Sequence, residues 1–426
     1  MDFIANHTPI FYFIQPLWRD EAFSVLLSQH SLIDIVRLTV GDFNPPLYYF
    51  LLHVWMQLFG NSEMSVRSLS LVFHVMLVYV VYCFIRKIFP ATRRLPYYGA
   101  FLAGLNPMLL YFAFEARMYS LLVLFATLSM YCFATNNWVW YVIFSLAGLY
   151  TQPFMVLVII AQVAYTAVCR RRWLIAFIKR LTIIGVGYAP WIVVLASQLK
   201  QSGPMWISKM DLNLATSALG NLYLGFEGTP FYLWMFTKIL SLLLLGAAGA
   251  VWMSNKRSSK TKLIIWWMVL PTVLATIVSF IKPIFVNRYL IAVSVAQVMV
   301  IIVYLSMLGK HLQRIIALLI IGGTLLFNLW YVPFHAKVDF RTTVAEIQSS
   351  NRSDGFMVAK TPLSFFEVMY YAKDKSRVFL YNPNNTPVLP YLGSVLIPDS
   401  LWIRSFPSDT WVYLIEDNGT YTTIQS

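Results

Sequence analysis

Two acids stand side by side at Asp20 and Glu21, directly after Trp18 and Arg19. A carboxylate held near apolar walls gains basicity and can take a proton from a hydroxyl, so this pair is the first candidate for catalysis. The plainer reading is a pair of solvated loop charges. Glu115, Arg117 and Tyr119 follow in FEARMYS, and Asn287, Arg288 and Tyr289 in FVNRYL. A guanidinium is a planar fork that matches phosphate oxygens, so two of them facing one cavity would hold a phosphate. The competing reading is a pair of snorkelling arginines. Arg67 is a weaker candidate of the same kind, and Lys238, alone among apolar residues, is expected to snorkel. The six histidines and three cysteines show no metal-ligand spacing. Neither GxxxxGK[ST] nor GxGxxG occurs, so no bound nucleotide is indicated. No metal and no cofactor are expected.

The elements that must position these residues follow from composition. Of 426 residues, 59% are hydrophobic and 12% charged, too little polar surface to coat a soluble globule of this size. The chain reads as a polytopic membrane protein. Apolar windows long enough to cross roughly 30 Å of hydrocarbon lie near 68–85, 97–113, 119–135, 138–151, 154–169, 181–198, 231–252, 263–281, 289–309 and 315–332, about ten spans.

The net charge of +14 belongs wholly to this part: residues up to 334 carry 24 basic and 9 acidic side chains, and the remainder 8 and 9. Such a balance in a soluble protein would suggest nucleic acid, but here the basic residues fill alternate short loops. They are Arg86, Lys87, Arg93 and Arg94; Arg170, Arg171, Arg172, Lys179 and Arg180; Lys256, Arg257, Lys260 and Lys262; and Lys310 with Arg314. Asp2, Asp20, Glu21, Asp34, Asp42, Glu63, Glu115, Asp211 and Glu227 fall at the other side. By the positive-inside rule the basic loops are cytoplasmic, and the acids and the tail face outward across a plasma or inner membrane.

Residues 1–67 are read as an outward first loop carrying the acid pair, 68–334 as the bundle, and 335–426 as a small extracytoplasmic α/β domain. Parity then leaves the N-terminus outside, which suggests that a preceding span is missing. NPPLYYFLLHVWMQLFG (44–60) is expected to be a helix along the membrane surface, with Trp55 and the tyrosines at headgroup level. In the tail, AEIQSS and FFEVMYYAK read as helices, and GFMVAK, RVFLYN, SVLIP and TWVYLIED as strands.

LWRDEAFS (17–24), FNPPLYYFLLHVWMQLFGNSE (43–63), VRSLSLVF (66–73), NPMLLYFAFEARMYSL (106–121), FVNRYL (285–290) and DFR (339–341) occur in that order. Together they resemble the bacterial branch of the dolichyl-phosphate-mannose protein mannosyltransferase-like family, within the GT-C membrane glycosyltransferases. The resemblance implies an all-α bundle of the GT-C type with surface helices in its first outward loop and a small outer domain. It also implies transfer of a sugar from a polyprenyl-phosphate donor to an extracytoplasmic acceptor, whether protein, lipid or polysaccharide. Asp20 would be the general base, with Glu21 tuning it or orienting the acceptor. Arg117, Glu115 and Arg288, with Tyr119, Tyr289 and Asn44, would bind donor phosphate and sugar. Asn44 departs from the His or Lys usual before the two prolines in relatives.

The expected chemistry is a single inverting displacement, which needs only one acid because a phosphate leaves without protonation. The alternatives are a transporter or flippase for lipid-linked sugars, which would want ionisable groups at the membrane midplane or paired repeats, and a non-catalytic assembly subunit.

Overall fold

The computed structural model describes residues 6–200, 207–225, 231–254, 259–350 and 354–425. Asp2, Glu227, Lys256 and Arg257 of the charge pattern lie outside the described residues. Short helices α1 (Ile10–Ile14), α2 (Arg19–Ser28), α3 (Leu32–Gly41) and α4 (Leu47–Phe59) precede the first long one. Helix α2 begins at the acid pair because the Trp18 N–H donates to the Glu21 carboxylate at 3.4 Å, and both acids complement the positive end of the helix. Helix α4 starts after Pro46 and stops at Gly60, whose φ is +79°. Its 13 residues are too few to cross a bilayer. Tyr48, Tyr49 and Leu52 face the protein, so these tyrosines are packed in the core and not at headgroup level as expected, while Val54, Leu58 and Phe59 face out.

Ten rods occupy the ten predicted windows: α5 (Glu63–Ile88), α6 (Leu95–Leu105) continued by α7 (Pro107–Ala113), α8 (Tyr119–Ala134), α9 (Trp138–Thr151), α10 (Met155–Cys169), α11 (Leu174–Lys200), α13 (Trp234–Met253), α14 (Ser259–Ile281), α15 (Ala292–Leu305) and α16 (Lys310–Tyr331). Among the described residues, five helices are long and apolar enough to cross a membrane unaided. The short α8 and α15 are buried along nearly their whole lengths, so they are apolar on every side because protein surrounds them.

Two of the basic loops meet at one end, where Arg170 bonds Asn136 at 3.4 Å, Arg180 lies over the Trp138 ring and Tyr165 meets Ser259. At the opposite end the segments holding residues 18–21, 115–117, 288 and 337 converge.

The helix α12 (Leu212–Leu224) was not expected. Its sequence, LNLATSALGNLYL, is too polar to read as a span, yet Ser217–Leu224 is buried. Neighbouring helices satisfy its carbonyls: Ser294 Oγ donates to Leu222 O, Gln297 Nε2 to Leu219 O and Asn106 Nδ2 to Tyr223 O, at 2.7, 2.7 and 3.1 Å. A Cβ on Gly220 would stand 2.0 Å from the Thr237 carbonyl oxygen, so the crossing with α13 requires glycine. Lys238 does reach outward, donating to Asn213 Oδ1 at 2.7 Å.

The tail forms a five-stranded sheet of order β3-β2-β1-β4-β5, with β1 (Phe356–Ala359), β2 (Val378–Tyr381), β3 (Trp402–Ile403), β4 (Trp411–Ile415) and β5 (Tyr421–Gln425). Pairing is parallel except for the β4–β5 hairpin. Helices α17 (Phe340–Ser349) and α18 (Pro362–Tyr371) cover it, and α18 packs against α2. SVLIP is not a strand: Gly393, at φ +79°, and Pro398 bound a 3-10 turn over Ser394–Leu396. The exposed, polar β5 lacked the apolar alternation that marks a strand.

Candidate active site

A cavity of about 390 Å³ opens at the end opposite the basic loops. Its walls come from residues far apart in the chain: Arg19, Asp20, Asp42 and Asn44 of the first loop, Arg117 and Tyr119, Lys282, Arg288 and Tyr289, and Phe366 with Leu389–Gly393 from the C-terminal domain. Asp20 sits among three guanidinium groups, with Arg19 Nε at 3.0 Å, Arg117 Nη2 at 3.8 Å and Arg288 Nη1 at 4.0 Å. Burial alone would raise the Asp20 pKa, but Arg117, Arg19 and Arg288 outweigh it and hold the carboxyl at about 2.

Arg117 is itself fixed from behind: its Nη1 donates to Asp20 O and Ser24 Oγ, both at 3.1 Å. Its buried Nε–H has no partner among the described residues. Tyr119 and Tyr289 lie beside Arg117 and Arg288, each ring centroid 6.0 Å from its guanidinium carbon. Asn44 donates to the Asp42 carboxylate at 3.2 Å, and burial raises the Asp42 pKa.

Of the eight residues singled out from the sequence, Asp20, Arg117, Arg288, Tyr119, Tyr289 and Asn44 line this cavity, whereas Glu21 and Glu115 do not. The Glu21 side chain is fully buried. It accepts from Arg67 Nε at 2.8 Å and Nη2 at 2.7 Å, Lys337 Nζ at 2.8 Å, Ala116 N at 2.9 Å and Trp18 N at 3.4 Å. Its pKa is lowered: burial opposes ionisation, but Arg67 and Lys337 prevail. Glu115 lies 1% exposed under Trp18, whose Nε1–H it accepts at 2.5 Å, and burial pushes it up to about 7.

Arg67 does not face the cavity, so the phosphate-binding reading of it is corrected. Beyond its two bonds to Glu21 it donates to the carbonyls of Phe13, Gln15 and Pro16, at 3.1, 2.5 and 2.9 Å, which uses all five of its N–H groups.

Four groups carry no assigned role in the sequence reading. Arg19 and Lys282 line the cavity. Lys337 reaches Glu21 from the C-terminal domain, and Glu367 on α18 lies 5% exposed beside Arg19 and Asp20, its pKa raised to about 8 by burial. The only local signal was proximity of Lys337 to the DFR motif. No group of three or more His, Cys, Asp or Glu that could hold a metal ion occurs among the described residues.

A bundle of apolar rods, short helices in the first loop and a small sheet over the site define a multi-pass membrane protein of the GT-C fold. Residues 44–196 match the model of the dolichyl-phosphate-mannose-protein mannosyltransferase family, in line with the motif resemblance. Among solved structures, the crystal structure of ArnT from Cupriavidus metallidurans in the apo state is similar, with a TM-score of 0.67 at 12% identity over 95% of this chain and 91% of that one. The same protein bound to undecaprenyl phosphate gives a TM-score of 0.64 at 12% identity over 97% and 92%. No curated protein sequence matches the chain.

Proposed function

We propose that this protein is an inverting glycosyltransferase that moves a sugar from a polyprenyl-phosphate donor to an acceptor hydroxyl on the outer side of the membrane. The observation that carries this reading is one carboxylate facing a cavity and ringed by three guanidinium groups. The match to the mannosyltransferase family model and the fold shared with a protein crystallised with undecaprenyl phosphate support it. The cavity volume falls within the ~300–1,000 Å³ usual for small-molecule sites.

In this reading the acceptor hydroxyl gives its proton to Asp20 as its oxygen attacks the anomeric carbon. The bond from that carbon to the phosphate oxygen breaks, and the electron pair leaves with the lipid phosphate, which gains a second negative charge. Arg117 and Arg288 stabilise that charge. Lys282 brings a further cation to the cavity lining.

The arginines also link base strength to donor binding. A carboxyl held at about 2 is a weak base. A donor phosphate shares the charge of Arg117 and Arg288, withdraws it from Asp20 and raises the carboxylate's basicity when a sugar is in place.

The test is transfer by purified protein from radiolabelled polyprenyl-phosphate sugars to a panel of protein, lipid and polysaccharide acceptors. Asp20→Asn should lose transfer and keep donor binding, whereas Arg117→Ala should lose both. Near-normal turnover in Asp20→Asn rules out the assignment of the base. The apparent acid pKa should be higher in the pH profile of kcat than in that of kcat/KM, and equal values would refute the link between base and donor.

A further inference from the structure

The Glu21 carboxylate joins four segments. It belongs to α2, follows Asp20 by one residue, and accepts from the backbone N–H of Ala116, the residue before Arg117. The base and the phosphate-facing arginine are therefore tied through their immediate neighbours by one 2.9 Å bond. Arg67 of α5 holds the same carboxylate from the bundle side, and Lys337 holds it at 2.8 Å from the start of the C-terminal domain.

We propose that Lys337 is a positioning residue for catalysis, the peg by which the C-terminal domain holds the Asp20 helix and the Arg117 loop in register. This rests on the glycosyl-transfer reading above. The Lys337 side chain is 8% exposed and its Nζ lies 5.8 Å from the Trp18 ring centroid, so the ammonium is enclosed by the segment that leads into α2. Its backbone N–H donates to Gln15 Oε1 at 3.1 Å, and the Gln15 carbonyl accepts from Arg67. The lysine thus closes a ring of contacts through residues 13–21, α5 and the 115–117 loop.

A second pair of contacts keeps the domain seated without using the Glu21 carboxylate, although Tyr371 Oη also accepts from Leu17 N at 2.8 Å. Arg341 bonds Glu63 at 2.8 Å, and Tyr371 donates to the same carboxylate at 2.5 Å. Losing Lys337 should therefore leave the domain attached and the base misaligned. Misplacement of a reacting group by about 1 Å costs roughly 100-fold in rate. Because Lys337 lies outside the cavity lining, donor affinity should change little.

In the transfer assay on the full chain, Lys337→Met should lower kcat by about 10- to 100-fold, with donor KM within about threefold of wild type. Lys337→Arg should recover most of the rate. Arg341→Ala, on the same domain but half exposed, should stay within about twofold. Should the Met variant fail to fold, Lys337→Gln, which keeps one N–H donor, takes its place with the same expectation. A kcat within twofold of wild type in Lys337→Met, a rise in KM at constant kcat, or no rescue by arginine overturns the peg.

Thermal unfolding gives an activity-independent arm. Lys337→Met should lower Tm in the wild-type background and hardly at all in Glu21→Gln, since neighbours sharing one carboxylate are not additive. Equal losses in both backgrounds overturn the proposal even if no donor is found. An inactive wild type that shows the non-additivity would instead indict the glycosyl-transfer reading.

Discussion

Asp20 and Glu21 are neighbours in the chain and occupy opposite kinds of environment. Asp20 faces a cavity, 14% exposed, with guanidinium groups at 3.0 to 4.0 Å. Glu21 is sealed under five N–H donors. Successive helical side chains point about 100° apart, so a pair at the first turn of α2 must send one carboxylate to the cavity and the other into the protein. What differs is what each can exchange: Asp20 has room for a hydroxyl and a proton, while Glu21 can only hold its neighbours.

The widest break in that comparison is kinetic. Asp20→Asn should lower transfer by about 100- to 10,000-fold, the usual contribution of a positioned general base. Glu21→Gln should do its damage to folding, because removing one member of a buried charge cluster costs about 3–5 kcal/mol. Denaturant or thermal unfolding of the purified variant reads that loss, and an unchanged midpoint would mean that the Glu21 cluster contributes little.

A smaller effect should follow at Gly393, where a Cβ would stand 2.7 Å from Phe366 Cζ and 2.9 Å from Phe23 Cδ2, at a φ of +79°. Gly393→Ala should cost about 1–3 kcal/mol and alter the cavity wall. Tm and donor KM, measured together, check both.

Glu115 sharpens the comparison by pH. Burial raises it from 4.5 to about 7, so the folded protein keeps a proton that the unfolded chain has released. Its contribution to stability is therefore present below pH 4.5 and lost as pH rises toward 7. Glu115→Gln should flatten the fall in Tm between pH 5 and 7, and parallel curves for the two proteins would contradict this. The smallest change belongs to the exposed Arg37–Asp34 pair at 3.0 Å. Arg37→Ala should move stability by less than about 1 kcal/mol.

Much of the fold was legible because membranes impose simple rules. Runs long enough to cross hydrocarbon mark the rods, and the fifteen lysines and arginines of the alternate loops mark their ends. Helix α12 escaped because its Ser, Thr and Asn content suits a loop, and only partners on α7, α13 and α15 make its burial possible. The candidate site was legible where rare residues stood out from apolar surroundings, as Asp20, Arg117 and Arg288 did. Arg67 stood out equally and was misread, since a lone arginine gives no sign of whether it faces a cavity or a carboxylate.

Composition, loop charge and a few scarce ionisable residues were thus enough to determine a membrane bundle with an acid at one end and arginines near the same level. Sequence alone does not say which side chains share a cavity and which share a buried knot, because that depends on contacts hundreds of residues apart. Glu21 meets Lys337 across 316 positions. Only the packed structure makes Asp20 open and Glu21 closed, since enclosure requires partners from other segments that no local spacing encodes.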